Sequence, residues 1–248
     1  MKRAAIAMMA MVLPQLAGAV SCRDITFEEA SYTVCDVRAG EDLRLFVRGP
    51  AGPFANFAAL DDYLIAQNET LVFAMNAGMF DEDLNPVGLY IEAGIERKKI
   101  VTRDGPGNFG LLPNGVFCTV LAGDSGPTFQ IVESRSFALN PLACWMATQS
   151  GPMLVMDGQL HPKFVAGSDS LNYRNGVGVS EDGSVASFVI SNTAVNFHSF
   201  ARVFRDVLGV KQALFLDGSI SRLYAPQLDR SDLGFPIGPI VAVVEQKD

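Results

Sequence analysis

The sequence predicts an α/β fold of the α+β type: a single domain with a large mixed β-sheet and two principal helices. Many short apolar runs between turn residues predict strands, whereas only two segments carry apolar residues at helical spacing. The 248 residues suffice for one large domain with its own core. No repeat, low-complexity segment or linker divides them, so we expect one domain.

Residues 1–19 have the pattern of a secretory signal peptide. Lys2 and Arg3 precede an apolar stretch from Ala4 to Leu13, and Ala17 to Ala19 form an A-x-A cleavage site. We therefore expect cleavage near Ala19 and a secreted or periplasmic mature chain. No later apolar run is long enough for a membrane helix, so membrane insertion is not expected.

The N-terminal part of the mature chain, residues 20–69, is predicted to add strands and one helix to the same domain. Alternating apolar and polar residues in 23–49 predict a hairpin-like opening. In 56–67, Phe57 and two leucines fall on one helical face, which predicts a helix packed on a sheet.

Two buried strands are predicted to end in a small polar residue close to a glycine. Apolar residues 71–75 lead into Asn76-Ala-Gly78, and apolar residues 213–216 lead into Asp217-Gly218. Polar residues at strand ends are often displayed in a common cleft. The repeated design therefore favours a shared site at these two strand ends.

Asp217 is the central candidate for chemistry. A carboxylate at the mouth of a sheet, beside Gly218, the hydroxyls of Ser219 and Ser221 and the cation Arg222, has the groups of a reaction centre. The simpler interpretation is that Asp217 satisfies the backbone of a turn, as Asp before Gly often does. This stretch alone leaves both interpretations open.

The clearest helix in the sequence covers residues 196–209. Asn196 is suited to the N-cap position and Gly209 to the C-cap position. Five residues form its apolar stripe: Phe197, Phe200, Ala201, Phe204 and Leu208. The helix leads directly into the predicted strand that ends at Asp217.

The negative net charge of the chain argues against nucleic acid as a partner. The chain has a formal net charge of −8, and loss of the signal peptide would make it more acidic. Such a chain has no general attraction for nucleic acid or anionic lipid. We therefore expect no nucleic-acid partner, and any bound phosphate must be held by a few placed arginines or backbone amides.

The four cysteines lie in the mature part of the chain, where an oxidising compartment favours disulfides. Three pairings are possible. We favour Cys22–Cys35 and Cys118–Cys144 because each closes a local loop, although the sequence alone does not decide between them. Lipid anchoring at Cys22 is a minor alternative, since the residues before it form a poor lipoprotein box. The absence of C-x-x-C spacing disfavours zinc.

Familiar catalytic motifs are absent from the sequence. There is no G-x-G-x-x-G, no Walker loop and no nucleophile elbow of G-x-S-x-G type. Acidic residues from Asp81 to Glu92 are spaced like a calcium loop, but Pro86 stands where that loop needs glycine.

Four short motifs, by their order and spacing, resemble the phosphodiester glycosidase family, in particular its bacterial secreted members. They are Asn76–Phe80, Gln149–Pro152, Arg174–Asn175 with Gly178, and Leu216–Ser221. The resemblance covers roughly residues 70–245, so we take 70–248 as a phosphodiester glycosidase-like core. One departure is Ser219, which replaces the second glycine of the family's Asp-Gly-Gly-x-Ser. A side chain there narrows the backbone's freedom, which bears on substrate range.

The resemblance implies hydrolysis of a sugar 1-phosphodiester, with a carbohydrate or sugar phosphate as the partner. It implies that Asp217 acts on the sugar carbon and that Arg174 holds the departing phosphate. The substrate-binding residues that it implies are Asn76, Gly78, Gln149, Ser150, Gly151, Asn175, Gly218, Ser219, Ser221 and Arg222. No cofactor is expected, and a requirement for a divalent cation stays open.

A rival function belongs to another class. The same groups would let a non-catalytic protein bind a glycan or a cell-envelope polymer on the same fold. Turnover of a sugar phosphodiester, compared with binding alone, separates the two hypotheses.

Overall fold

The computed structural model describes residues 20–121, 123, 126–218 and 220–247. The predicted signal peptide, residues 1–19, and Ser219 lie outside the described residues. The strands of the described residues, in chain order, are β1 (Val20–Phe27), β2 (Ala30–Arg38), β3 (Leu43–Phe46), β4 (Arg48–Gly49), β5 (Gly52–Pro53), β6 (Glu69–Asn76), β7 (Tyr90–Glu92), β8 (Ile95–Lys98), β9 (Gly115–Leu121), β10 (Pro127–Glu133), β11 (Cys144–Ser150), β12 (Met153–Met156), β13 (Gln159–Leu160), β14 (Asn175–Val179), β15 (Val185–Ser191), β16 (Gln212–Asp217), β17 (Leu223–Ala225), β18 (Arg230–Ser231) and β19 (Ile240–Gln246). Their helices are α1 (Phe57–Ile65), α2 (Ser134–Leu139) and α3 (Phe197–Arg202), which continues into a π-helical turn (Val203–Val207), and Pro226–Leu228 form a 3-10 turn.

The strands form three principal sheets. The seven-stranded sheet has the order β1-β2-β15-β14-β16-β12-β13, and the two five-stranded sheets have the orders β10-β9-β11-β7-β8 and β18-β17-β6-β19-β3. The short strands β4 and β5 pair with each other. The domain is thus mostly strand with few helices, as predicted in outline.

Strand direction differs from the prediction. Every strand pair among the described residues is antiparallel. The prediction of one large mixed sheet is therefore wrong in both the number of sheets and the direction of their strands. An apolar run indicates that a strand is buried, but it carries no information about which strand pairs with it.

The main core lies between the three sheets, around Phe188 of β15. The centroid of its ring is 5.2 Å from that of Phe73 in β6 and 5.7 Å from that of Phe117 in β9. Each of these fully buried phenylalanines belongs to a different sheet. The three sheets therefore share one apolar core, which fixes them relative to one another.

Helix α3 covers the outer face of the seven-stranded sheet. Its predicted N-cap is confirmed, because Oδ1 of Asn196 accepts the backbone N–H of Ser199 at 2.9 Å. The helix lies very close to β14: a Cβ on Gly178 would stand 2.8 Å from the ring of Phe204. Glycine at this position therefore allows the phenyl ring to pack on the backbone of the strand.

Helix α1 packs on the sheet that contains β6, as predicted. Phe57, Leu60 and Leu64 form its buried face, and Asn56 caps its first turn. The two principal helices are confirmed, and the short helix α2 is an addition to them. Across the described residues, no helix combines the length and the apolar character needed to cross a membrane.

Both favoured disulfides are present. Cys22–Cys35 joins β1 to β2 at directly opposite positions, and Cys118–Cys144 joins β9 to β11. Each bridge therefore links two neighbouring strands of one sheet. The choice among three possible pairings is confirmed.

Candidate active site

The ends of four strands from three sheets meet at one place. Strand β6 ends at Asn76, β11 at Ser150 and β16 at Asp217, while β14 begins at Asn175. After β16 the chain turns and enters β17, which pairs with β6 in a different sheet. This crossing from one sheet to another brings Asp217 next to Asn76.

Two buried asparagines organise the junction. Asn175 donates from Nδ2 to the backbone O of Asn76 at 2.8 Å and to its Oδ1 at 2.9 Å. Oδ1 of Asn76 also accepts the backbone N–H of Arg222 at 2.9 Å, and Oδ1 of Asn175 accepts the backbone N–H of Asp217 at 2.8 Å. Because both side-chain oxygens are occupied by donors, the orientation of each amide is fixed.

The Asp217 carboxylate is held by two donors. Nδ2 of Asn76 donates to Oδ2 at 2.9 Å, and the backbone N–H of Gly218 donates to Oδ1 at 2.6 Å. Burial raises the pKa of Asp217 from 3.8 to about 6, and the two hydrogen bonds offset part of the shift. Among the described residues, no cation forms an ion pair with it. The group is therefore an oriented carboxylate that takes up a proton more readily than an exposed one.

A bulge explains the role of Ser150. The pairing of β14 with β16 shifts between Asn175 and Gly176, so Leu216 is an extra residue in the ladder. The backbone O of Leu216 accepts from Oγ of the fully buried Ser150 at 2.6 Å. Ser150 thus satisfies a carbonyl next to the irregularity and ties β11 to the candidate site.

The side chain of Gln149 is directed away from the Asn76–Asp217 contact. Its Oε1 accepts the backbone N–H groups of Leu89 and Val101, both at 2.9 Å, and its Nε2 donates to Oγ of Ser134. These contacts use the amide within the protein. Gln149 therefore anchors the segment that begins at Val101.

The predicted glycines differ in their surroundings. A Cβ on Gly78 would stand 3.0 Å from Oγ1 of Thr148, and one on Gly151 would stand 2.4 Å from the Cβ of Asn114. Glycine at these two positions permits close packing inside the protein. Gly218 has only ordinary contacts, at 3.7 Å or more, so the backbone beside Asp217 has space around it.

Arg174 lies on the α3 side of the seven-stranded sheet and is only 1% exposed. Its Nε donates to the backbone O of Val195 at 2.8 Å, its Nη2 donates to that of Ser170 at 3.0 Å, and its Cζ lies 3.6 Å from the ring centroid of Phe197. Burial lowers its pKa to about 10, still well above neutral pH. Arg174 is therefore a charged residue held by carbonyls and an aromatic ring.

Ser221 and Arg222 complete the turn that follows Asp217. Oγ of Ser221 donates to the backbone O of Gly218 at 2.7 Å and so closes the turn. Arg222 is 5% exposed, and burial lowers its pKa while Asp232 opposes the shift. The structure thus brings Asn76, Asn175, Asp217 and the backbone of Arg222 into direct contact, with Ser150 and Ser221 beside them.

A family model described as "Phosphodiester glycosidase" matches residues 69–235, well over half of the chain. The chain belongs to the phosphodiester glycosidase family. All four motifs on which the resemblance was based lie within the matched residues, so the resemblance is confirmed.

The proteins similar to this family member include one from a bacterium and one from zebrafish. The Escherichia coli (strain K12) uncharacterized protein YigE is 40% identical over 151 residues, which are 61% of this chain and 57% of YigE. The chain therefore spans less than two thirds of that relative. The zebrafish N-acetylglucosamine-1-phosphodiester alpha-N-acetylglucosaminidase catalytic domain, auto-inhibited by its pro-peptide, has a TM-score of 0.60. The match covers 90% of this chain and 81% of that one at 15% identity, so the likeness concerns the fold.

Sequence reasoning missed Asn108 in this phosphodiester glycosidase family member. Its Nδ2 lies 3.8 Å from the place that a Cβ on Gly218 would occupy. Asn108 lies in an irregular segment that Gln149 anchors at Val101. Gly105-Pro-Gly107, directly before Asn108, indicates a turn. These residues do not indicate which part of the fold the turn contacts.

Proposed function

We propose that this phosphodiester glycosidase family member is a secreted hydrolase that cleaves sugar 1-phosphodiesters. The observation that carries the proposal is the Asp217 carboxylate, partly buried at the meeting point of the sheets and held by Asn76 and Gly218. Family membership supports the reaction class. The two disulfides support export to an oxidising compartment.

The leaving group makes one carboxylate sufficient. Ordinary glycosidases need a second carboxyl group to protonate a poor alkoxide. A phosphate monoester has a second pKa of about 6, so it departs without that help. In the proposed step, a water oxygen bonds to the anomeric carbon and the bond from that carbon to the phosphate oxygen breaks. The phosphate keeps the electron pair, and the water proton passes to Asp217 or to solvent.

Asp217 acts in its ionised form in this proposal. Its negative charge stabilises the positive charge that develops on the sugar ring and directs the attacking water. Asn76 and Asn175 are positioning residues, because their fixed amides hold the carboxylate and the backbone on either side of it. A Cβ on Gly218 would make only ordinary contacts, at 3.7 Å or more, so this glycine allows the sugar to approach the carboxylate.

Two arginines are proposed to act on the phosphate. The first is Arg174, whose desolvated guanidinium lies 5.7 Å from the centroid of the Phe215 ring. Phe215 in turn lies next to Gly218, so the charge of Arg174 is one aromatic ring away from the turn. Arg222 lies five positions after Asp217, at the end of the turn, and its backbone N–H donates to Oδ1 of Asn76. Positive charge near the phosphate favours departure of an anionic group.

The test uses sugar 1-phosphates esterified with 4-nitrophenol, presented as a panel of sugars. Cleavage at the anomeric carbon releases 4-nitrophenyl phosphate, which becomes coloured only after a coupling phosphatase is added. Cleavage at the phosphorus atom releases 4-nitrophenol directly. We expect colour that depends on the coupling enzyme.

The matched control for this test is Asp62→Asn. Asp62 is exposed on α1, so its replacement changes the net charge as Asp217→Asn does but leaves the candidate site intact. We expect Asp217→Asn to lower kcat by orders of magnitude and Asp62→Asn to leave it unchanged. Saturable binding without turnover of any sugar in the panel would contradict the hydrolase and favour the glycan-binding alternative.

A further inference from the structure

A cavity of about 650 Å³ opens beside the turn that follows Asp217. Ser221 and Arg222 form the part of its wall nearest the carboxylate, and the ends of β14 and β15 lie next to it. Its other walls include Tyr173, Ile220 and the loop that carries Leu233 and Phe235. The cavity therefore adjoins the turn that connects Asp217 to Arg222.

Arg222 contributes an unused positive charge to the cavity. Although it is 95% buried by area, the described residues offer its guanidinium no hydrogen-bond acceptor and no carboxylate at ion-pair distance. Arg230, by contrast, is paired: its Nη2 lies 2.8 Å from Oδ2 of Asp232, and its Nη1 donates to Oδ1 of Asn192 at 2.7 Å. The carboxylate of Asp232 also lines the cavity and raises the pKa of Arg222, but it is already bonded to Arg230 and to the backbone N–H of Leu223. Among the described lining residues, Arg222 is therefore the cation with donors left for an anion.

The loop over Arg222 shields it from water. Gly234 has a φ of +145°, and a Cβ at this position would stand 2.7 Å from Nη2 of Arg222. The loop backbone therefore lies directly on the guanidinium, an arrangement that only glycine permits. Exclusion of water strengthens the attraction of this cation for an anion inside the cavity.

Two large apolar residues flank Gly234 in the sequence. Leu233 is 90% exposed and Phe235 is 78% exposed, and both line the cavity. Tyr173 and Ile220 continue the apolar surface toward the Asp217 turn. Apolar side chains displayed together at the mouth of a cavity are typical of a surface that an apolar ligand covers.

We propose that this cavity is the leaving-group site and that it selects phosphodiesters of apolar alkyl alcohols. The phosphate would lie on Arg222, and the alkyl chain would lie against Leu233 and Phe235. The inference rests on the proposed function, because it specifies the alcohol that is esterified to the departing phosphate. Cleavage of the bond to the anomeric carbon would release that group as an alkyl phosphate, with no reactant besides water.

The experiment measures the binding of two phosphate monoesters to the whole mature protein by calorimetry. Hexyl phosphate carries an apolar alcohol, and glycerol phosphate carries a polar one with the same charge. We expect hexyl phosphate to bind at least about tenfold more tightly, because its methylenes leave water on binding. The double variant Leu233→Ser with Phe235→Ser should abolish the preference, and Arg222→Gln should weaken both ligands.

Leu139→Ser provides the matched control, because Leu139 is an exposed leucine on α2, away from the cavity. It should leave the preference for hexyl phosphate intact, and no variant should melt below the wild-type temperature. Equal affinities for the two ligands, no binding of either, or a preference that survives the double variant would each overturn the inference.

Turnover is scored separately from this binding preference. If hexyl phosphate is preferred but no sugar phosphodiester is hydrolysed, the alkyl phosphate site stands and the proposed hydrolase fails. If sugar phosphodiesters are hydrolysed but alkyl and glyceryl esters bind and react equally, the hydrolase stands and the proposed selectivity fails.

Discussion

Asn76 and Asp217 are separated by 141 positions in the chain, yet Nδ2 of Asn76 donates to Oδ2 of Asp217 at 2.9 Å. The contact joins the ends of β6 and β16, which belong to different sheets. The carboxylate is thus oriented by a side chain whose own position depends on how the sheets pack.

The pH dependence of hydrolysis should reflect the environment of Asp217. Burial raises its pKa to about 6, so the ionised form is lost as the pH falls through about 6. We expect kcat/KM to decline when the pH is lowered past about 6. An aspartate with an ordinary pKa would give this decline about two pH units lower. A pH-rate profile measures this directly, and an acidic limb near 4 would contradict the assignment.

Asp217 should lower the stability of the folded protein at neutral pH. The folded carboxyl group binds its proton more tightly than the unfolded one, so protonation of Asp217 stabilises the folded state. This stabilisation is fully present below pH 3.8 and is lost as the pH rises through about 6. Asp217→Asn should therefore raise the free energy of unfolding at pH 7 by about 1–3 kcal/mol and change it little at pH 4. Urea unfolding at both values tests the sign, with Asp62→Asn as the control. A variant less stable than wild type at pH 7 would be inconsistent with the raised pKa.

Asn76 should affect both stability and the titration of Asp217. Asn76→Ala leaves Nδ2 of Asn175 and the backbone N–H of Arg222 each without a side-chain acceptor, which should cost about 1–3 kcal/mol. It also removes one of the two donors that lower the pKa of Asp217, so the acidic limb of kcat/KM should move to higher pH while Gly218 still donates. Unfolding measurements and a pH-rate profile of the same variant test the two effects. Loss of stability without movement of the limb would show that Asn76 has a structural role alone.

The two arginines should respond differently to the leaving group. Arg174→Ala and Arg222→Gln should each lower kcat/KM for a sugar phosphodiester far more than for an aryl glycoside of the same sugar. For Arg222, loss of a charge-assisted hydrogen bond to the phosphate corresponds to roughly 1.5–3 kcal/mol. Arg174 donates its hydrogen bonds to backbone carbonyls, so its effect would come from its charge alone. Asp217→Asn should impair both substrates, because it acts on the sugar. Equal losses on both substrates for Arg174→Ala would instead assign Arg174 to holding the backbone at Ser170 and Val195.

Local patterns predicted much of the fold. The apolar residues before Asp217 form β16, the two amphipathic segments form α1 and α3, and Asn196 caps α3. These features depend on residues within a few positions of one another, where helical and strand periodicity act directly. The short loops closed by the cysteine pairs likewise pointed to the disulfides that are present.

Tertiary structure decided how these elements meet. Alternation and apolar runs specify a buried strand but not its partner, so the division into three antiparallel sheets was not predictable from them. Gln149 and Ser150 are neighbours, yet Ser150 reaches β16 while Gln149 anchors the segment at Val101, because successive side chains of a strand point to opposite faces. The sequence by itself thus determined the strand that ends at Asp217, whereas packing across three sheets decided that Asn76 orients its carboxylate and that Arg222 faces a cavity.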